Sequence, residues 1–226
     1  MNKEKYIDPF LEKRLIKYDE WISNEQISHS SKVVPVSESF NPKQWVLPTE
    51  QVIEILRKAK SVAVQNCECR THYRRCDNPL EVCILLNEVG DTFVRKGKAR
   101  QVDLTEAVEI LKRANESGLV HLSLYMPDHE MFALCSCCPC CCHELQIVTQ
   151  FARKDLMIHS EYVAATIAEN CLHCGVCVDR CVFGARVFRD GKMEYNTGAC
   201  LGCGLCVTTC PAEAVSMKIR DASASP

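Results

Sequence analysis

The chain has 226 residues, 18 of them cysteine, and its 27 Lys and Arg against 29 Asp and Glu leave a net charge of −2. A near-neutral balance gives no electrostatic footprint for nucleic acid, and no stretch reaches the eighteen uncharged apolar residues that a membrane span requires. So many cysteines would suggest disulfides in a short secreted chain, yet the opening MNKEKYIDPFLEKRLIKYDE is charged and lacks an apolar signal core. The thiols therefore read as metal ligands in a reducing, cytoplasmic setting.

The length holds one medium domain and a small module, with boundaries read at 1–48, 49–155 and 156–226. Residues 1 to about 27 predict an amphipathic helix capped by Asp8, with Pro9 in its first turn and Phe10, Leu11, Leu15, Ile16 and Tyr18 near helical spacing. The Ser- and Pro-rich SHSSKVVPVSESFNPKQWVLP that follows reads as an extended connection anchored by Trp45, Val46 and Leu47. From Thr49 a helix with Val52, Ile53, Leu56 and Ala59 on one face leads into a short strand, SVAVQ. A second helix starts at the capping-box-like Asp103-x-x-Glu106, carries Ala107, Val108, Ile110, Leu111 and Ala114 on one face, and stops before Gly118. LVHLSLYM then alternates as a strand. Helices on a small sheet predict an α+β chain whose cysteine-rich domain is a mixed α/β one.

Ten cysteines lie in this domain in two groups. Cys67, Cys69, Cys76 and Cys83 form the first; Cys135, Cys137, Cys138, Cys140, Cys141 and Cys142 form the second. Each follows a short apolar segment, SVAVQN or MFAL, and if these are neighbouring strands the two loops converge at one edge. Six cysteines in eight residues point several ways, adjacent pairs strain any disulfide between them, and exposed thiols at this density oxidise. A metal site fed by both loops is the economical reading: one additional [4Fe-4S] cluster, or two, with structural zinc as the alternative. Some thiols would then serve as hydrogen-bond donors or as a redox pair. Cys83, in the apolar CILLN, reads equally well as a buried small hydrophobe.

Near the C-terminus, Cys171-x2-Cys174-x2-Cys177-x3-Cys181 and Cys200-x2-Cys203-x2-Cys206-x3-Cys210-Pro211 have the spacing that wraps two iron–sulfur clusters. In such runs the fourth cysteine ligates the other cluster. That assigns Cys171, Cys174, Cys177 and Cys210 to one, and Cys200, Cys203, Cys206 and Cys181 to the second. Gly175, Gly202 and Gly204 leave room for backbone N–H groups to approach the sulfides. Zinc is the alternative here too, but a zinc knuckle uses two cysteines per loop and these loops carry four. From about Glu161 to Arg220 the chain resembles the bacterial-type ferredoxin domain with two [4Fe-4S] clusters. The resemblance implies a small pseudo-symmetric domain carrying single electrons between protein partners. Val182 departs from the pattern, standing where the second copy has Pro211.

Residues 49 to 150 resemble the cysteine-rich region found ahead of dicluster ferredoxin domains in some anaerobe proteins. The features are Cys67-Glu68-Cys69-Arg70, Cys76 with Cys83, Gly118-Leu119-Val120-His121, and the run from Cys137 to Cys142. This resemblance names no reaction. The basic Arg70-Thr71-His72-Tyr73-Arg74-Arg75 reads as a solvated loop, or as compensation of cluster charge or a grip on an anion. His143 and His173 read as ordinary polar neighbours of cysteine, and His72, His121 and His129 as isolated histidines that establish no enzyme. No P-loop, nucleophile elbow or HExxH occurs. The expectation is an iron–sulfur electron-transfer protein with redox protein partners; the alternatives are a small iron–sulfur reductase and a docking module with a structural zinc.

Overall fold

The computed structural model describes residues 7–35, 48–127 and 130–220, without the side chains of residues 48–51 and 154. His129 and the anchors Trp45, Val46 and Leu47 lie outside the described residues. Helices and strands mix throughout, as an α+β chain requires. The chain divides into two compact units, Met1–Lys32 with Leu56–Ile158, and Val33–Ile55 with His159–Pro226. Among the described residues no helix is long and apolar enough to cross a membrane.

In the first unit, helix α1 (Pro9–Ser23) starts as its sequence dictates. The Asp8 carboxylate accepts from the N–H groups of Phe10 at 3.0 Å and Leu11 at 3.2 Å, and Pro9 occupies the first turn, where no N–H is needed. Leu11 and Tyr18 are buried against Ile147 and Leu156, whereas Ile16 is exposed. After β1 (Ser31–Val34) and α2 (Pro48–Lys58), within each of which the unit division falls, come β2 (Val62–Asn66), α3 (Glu68–Tyr73), β3 (Glu81–Leu86), α4 (Asn87–Arg95) and β4 (Ala99–Gln101). α5 (Leu104–Glu116), β5 (Val120–Tyr125), β6 (Met131–Cys137), α6 (His143–Gln150) and β7 (Met157–Ile158) follow. α5 has the expected cap, Asp103 accepting from the Glu106 N–H at 2.8 Å, and it stops before Gly118 at φ +74°.

The strands form one sheet in the order β4-β2-β3-β6-β5-β1-β7. β2 and β6, expected as neighbours, are separated by β3, which pairs antiparallel with both: Val64 faces Ile84, and Ile84 faces Leu134. The interposed strand is EVCILL, buried at five of its six positions, so a continuous apolar run takes the centre of the sheet. β1 falls in the stretch read as a connection. It is four residues long, and its parallel partner β7 lies more than a hundred residues on, a pairing with no local signature.

A carboxylate joins three elements inside this unit. Glu144 on α6 is 1% exposed, accepts from Tyr18 Oη of α1 at 2.5 Å, and takes the hydroxyls of Ser30 at 2.8 Å and Ser31 at 3.2 Å beside β1. Burial alone would raise its pKa; hydrogen bonds from His143, Tyr18 and Ser30 outweigh that and hold it below the ordinary carboxylate range.

The second unit holds β8 (Tyr162–Thr166), α7 (Val176–Asp179), β9 (Arg186–Arg189), β10 (Lys192–Tyr195), α8 (Leu205–Thr208) and β11 (Val215–Ile219). β8 pairs antiparallel with β11, and β9 with β10 through Asp190 and Gly191, both at positive φ as a type I′ turn requires. Structure repeats at the 29-residue offset from Cys171 to Cys200 (200 − 171). α7 and α8 are matching four-residue helices, and His173 at φ +50° corresponds to Gly202 at φ +78°. At Gly202 a Cβ would stand 2.1 Å from the Tyr162 carbonyl oxygen, so close packing on β8 demands glycine there.

Tyr18→Phe keeps the ring and deletes the hydroxyl's hydrogen bond to the buried Glu144 carboxylate together with its contact to His143 Nε2. It is expected to cost about 1.5–3 kcal/mol and to lower the melting temperature by several degrees in a calorimetric scan. An unchanged melting temperature would show that Glu144 does not tie α1 to α6.

Candidate metal centres

All 18 cysteines are free thiols. The ten of the first unit sort into two groups, and each group draws on both cysteine runs of the sequence. Cys76, from the loop after α3, meets Cys138, Cys140 and Cys141, from the turn after β6, with all four sulfurs within 4.8 Å of one another. Cys76 Sγ is 3.8 Å from Cys138 Sγ and 3.9 Å from Cys141 Sγ. Asn78 Nδ2 donates to Cys76 Sγ at 3.4 Å, while Arg75 and Gln146 hold the turn through the carbonyls of Cys140 and Cys141, each at 3.1 Å.

The other six thiols come from five different places: Cys67 ahead of α3, Cys69 within it, Cys83 on β3, Cys135 and Cys137 on β6, and Cys142 at the start of α6. Cys135 and Cys137 share a face because strand side chains alternate. Ser136 between them bonds His121 Nδ1 at 3.0 Å, and burial pushes that histidine's pKa down to about 4, so His121 is a neutral interior residue. Thiol hydrogen bonds link the six in a run, Cys135 to Cys83 to Cys67 to Cys69 to Cys142 to Cys137. Cys67 lies where two of these bonds converge. Hydrogen bonds from Cys69 and Cys83 lower its pKa against the burial that would raise it. Cys83 is thus not merely a small hydrophobe, since it bonds Cys135 and Cys67.

All six line one cavity of about 600 Å³ whose remaining walls include Leu85, Phe93, Leu124, Phe132 and Trp21. That volume is in the range of small-molecule pockets. At its thiol end His143 bridges, with Nδ1 3.0 Å from Cys69 Sγ and Nε2 3.0 Å from Tyr18 Oη. Cys69 is thereby connected through His143 and Tyr18 to the buried Glu144.

Four residues of the segment from Arg70 to Arg75 are exposed, as in a solvated segment, but Arg70 is not. The segment's residues up to Tyr73 are helical, His72 stacks on Phe10 at 4.3 Å, and Arg70 is 1% exposed. Arg70 Nη1 and Nη2 each donate to the Ser136 carbonyl at 3.1 Å, and Nη1 reaches Cys138 Sγ at 3.6 Å. Burial works against its charge, and the sulfurs of Cys67, Cys138 and Cys83 more than restore it. One guanidinium thus serves both thiol groups, a role the sequence suggested only through the sign of its charge.

In the second unit each expected set of four sulfurs surrounds a small cavity: Cys171, Cys174, Cys177 and Cys210 line one, and Cys181, Cys200, Cys203 and Cys206 line the other. The donor sets suit iron–sulfur clusters, with four thiols to each cavity and no disulfide among them. Ala214 donates its N–H to Cys210 Sγ at 3.3 Å, a contact that favours the more negative, reduced state of a bound cluster. The Met193 N–H donates to His173 Nδ1 at 3.1 Å, which makes His173 a loop-fixing residue. Arg220 at the end of β11 donates to the Cys200 carbonyl at 2.7 Å. The residue that sequence reasoning missed is Arg186. It is 2% exposed on β9, with Nη1 4.0 Å from Cys177 Sγ, and it also hydrogen-bonds Cys206, so it touches one sulfur of each set. Its Nε and Nη2 are buried with no hydrogen-bond partner.

No curated protein matches the chain. The family model described as 4Fe-4S dicluster domain matches residues 170–214, a span that holds all eight of these cysteines together with Arg186. Residues 170–214 are accordingly a 4Fe-4S dicluster domain.

Proposed function

We propose that this protein carries single electrons through two [4Fe-4S] clusters held by its C-terminal cysteines, to or from a further iron–sulfur site among the N-terminal thiols, in exchange with redox protein partners. The match of residues 170–214 to the dicluster domain carries the reading. A bound cluster supplies a one-electron couple, at a potential set by burial, charge and hydrogen bonds to sulfur. The chain's part is to hold and tune it. Cys171, Cys174, Cys177 and Cys210 ligate one cluster, and Cys200, Cys203, Cys206 and Cys181 the other, an assignment supported by the two cavities these sets line. Each loop thus lends its fourth cysteine to its neighbour, and neither site is complete without both copies of the repeat.

A second reading, a small iron–sulfur reductase, is supported by the 600 Å³ cavity. It brings apolar walls to six thiols and so offers a place for a small molecule beside the N-terminal redox site.

The reading is tested on anaerobically purified full-length protein by iron and sulfide analysis with EPR of the dithionite-reduced state. More than eight irons per chain, with signals of reduced [4Fe-4S] clusters, are expected; eight irons would reject the N-terminal site, and a protein that carries no iron overturns the whole reading. Cys171→Ala and Cys210→Ala should impair the same cluster and Cys181→Ala the other, so loss of different clusters in the first two variants rejects the assignment. Arg186→Met removes a buried positive charge that faces both sets of sulfurs. It should lower both reduction potentials, each by on the order of 100 mV, the size expected for one charge several ångströms away at an effective dielectric of about 20. A redox titration that moves neither potential would assign Arg186 to packing alone.

A further inference from the structure

The ten N-terminal thiols are held in two different geometries. The sulfurs of Cys76, Cys138, Cys140 and Cys141 are drawn together, all within 4.8 Å of one another, with Cys76 3.8 Å from Cys138 and 3.9 Å from Cys141. A single zinc ion bonded to four thiolates at about 2.3 Å requires a tetrahedral edge of about 3.8 Å. A cubane cluster interposes four irons between its thiolates and spreads them further apart. Among the described residues this is the one group of three or more cysteine, histidine or carboxylate ligands drawn so close. The eight C-terminal sulfurs, which surround their cavities in fours, are not, nor are the six strung along the cavity of the first unit.

We infer that Cys76, Cys138, Cys140 and Cys141 bind one zinc ion as a closed structural site, distinct from every iron–sulfur site of the chain. Four thiolates leave no open coordination position, which separates a structural from a catalytic zinc. The surroundings fit the two negative charges that a tetrathiolate zinc carries. Arg70 Nη1 at 3.6 Å from Cys138 Sγ and Asn78 Nδ2 at 3.4 Å from Cys76 Sγ both point N–H groups at sulfur, and Arg75 sits on the carbonyl of Cys140. The same four thiols would accept one ferrous ion, but iron(II) stands near the weak end of the affinity series for such sites. With four thiols so engaged, the N-terminal redox site falls to Cys67, Cys69, Cys83, Cys135, Cys137 and Cys142, beside the cavity. That second assignment rests on the reading given under Proposed function; the zinc does not.

The test is metal analysis and zinc K-edge absorption on the anaerobically purified full chain. One zinc per chain, with a shell of four sulfurs at about 2.3 Å and no nitrogen or oxygen, is expected. Cys140→Ser should remove the zinc or replace one sulfur of its shell while the iron content stays at the wild-type level. Cys67→Ser should leave the zinc shell intact and reduce the iron. Absence of zinc, a single thiolate-bound iron in its place, or loss of iron with retention of zinc in Cys140→Ser would each overturn the site. Should Cys140→Ser fail to accumulate, the shell measured on the wild-type chain decides alone. A wild-type chain with one zinc and only eight irons would uphold the zinc site while rejecting an N-terminal cluster, so the two readings fail separately.

Discussion

A guanidinium buried without a carboxylate is costly in any protein, and there are two among the described residues of this chain. Arg70 and Arg186 head its fully buried side chains by size, and among the described residues neither forms an ion pair with Asp or Glu. Each stands instead between two groups of thiols, Arg70 between the compact four and the run of six, Arg186 between the two C-terminal sets. Charge burial on this scale is tolerable only when paired. Sulfur is the partner on hand, and thiols provide the needed charge once metal or cluster binding has deprotonated them. Each arginine and its sulfurs are therefore interdependent, with positive charge that makes the thiolates affordable and thiolates that justify the positive charge.

The C-terminal site was legible because its chemistry is written locally. Cysteines three apart recur twice within residues 170–214, the span that matches the dicluster domain. Arg186 escaped notice because nothing in RVFR distinguishes a core arginine from the exposed Arg189 of the same strand; only the fold decides which one turns inward. Helix starts were equally local, as Asp8 and Asp103 demonstrate. The sheet was less so. β3 and β1 take their places through partners far along the chain, and the expectation that β2 and β6 adjoin failed for want of the strand that lies between them.

The N-terminal cysteines illustrate a different limit. Their number and crowding led to the expectation of a metal site, but the two clusters of residues visible in the sequence are not the two groups that form in space. Strand alternation sends Cys135 and Cys137 to one face, and the turn that follows sends Cys138, Cys140 and Cys141 elsewhere. Cys76 joins the second group while its sequence neighbours Cys67 and Cys69 join the first. The His143, Tyr18 and Glu144 connection was also hidden, since it depends on α1 docking beside α6 from more than a hundred residues away.

The quartet also bears on how the first unit stays folded. Cys76 and Cys138 are separated by 62 positions, and the intervening chain contains β3, α4, β4, α5, β5 and β6, most of the sheet. An ion bound by both ends would act as a cross-link over that loop. By the chain-entropy account developed for disulfides, a tie of this span disfavours the unfolded chain by about 4 kcal/mol. That is a large share of the 5–15 kcal/mol by which domains are commonly stable. Chelation would thus act on the sheet as reduction acts on a disulfide-bonded domain, loosening the unit by freeing its unfolded state.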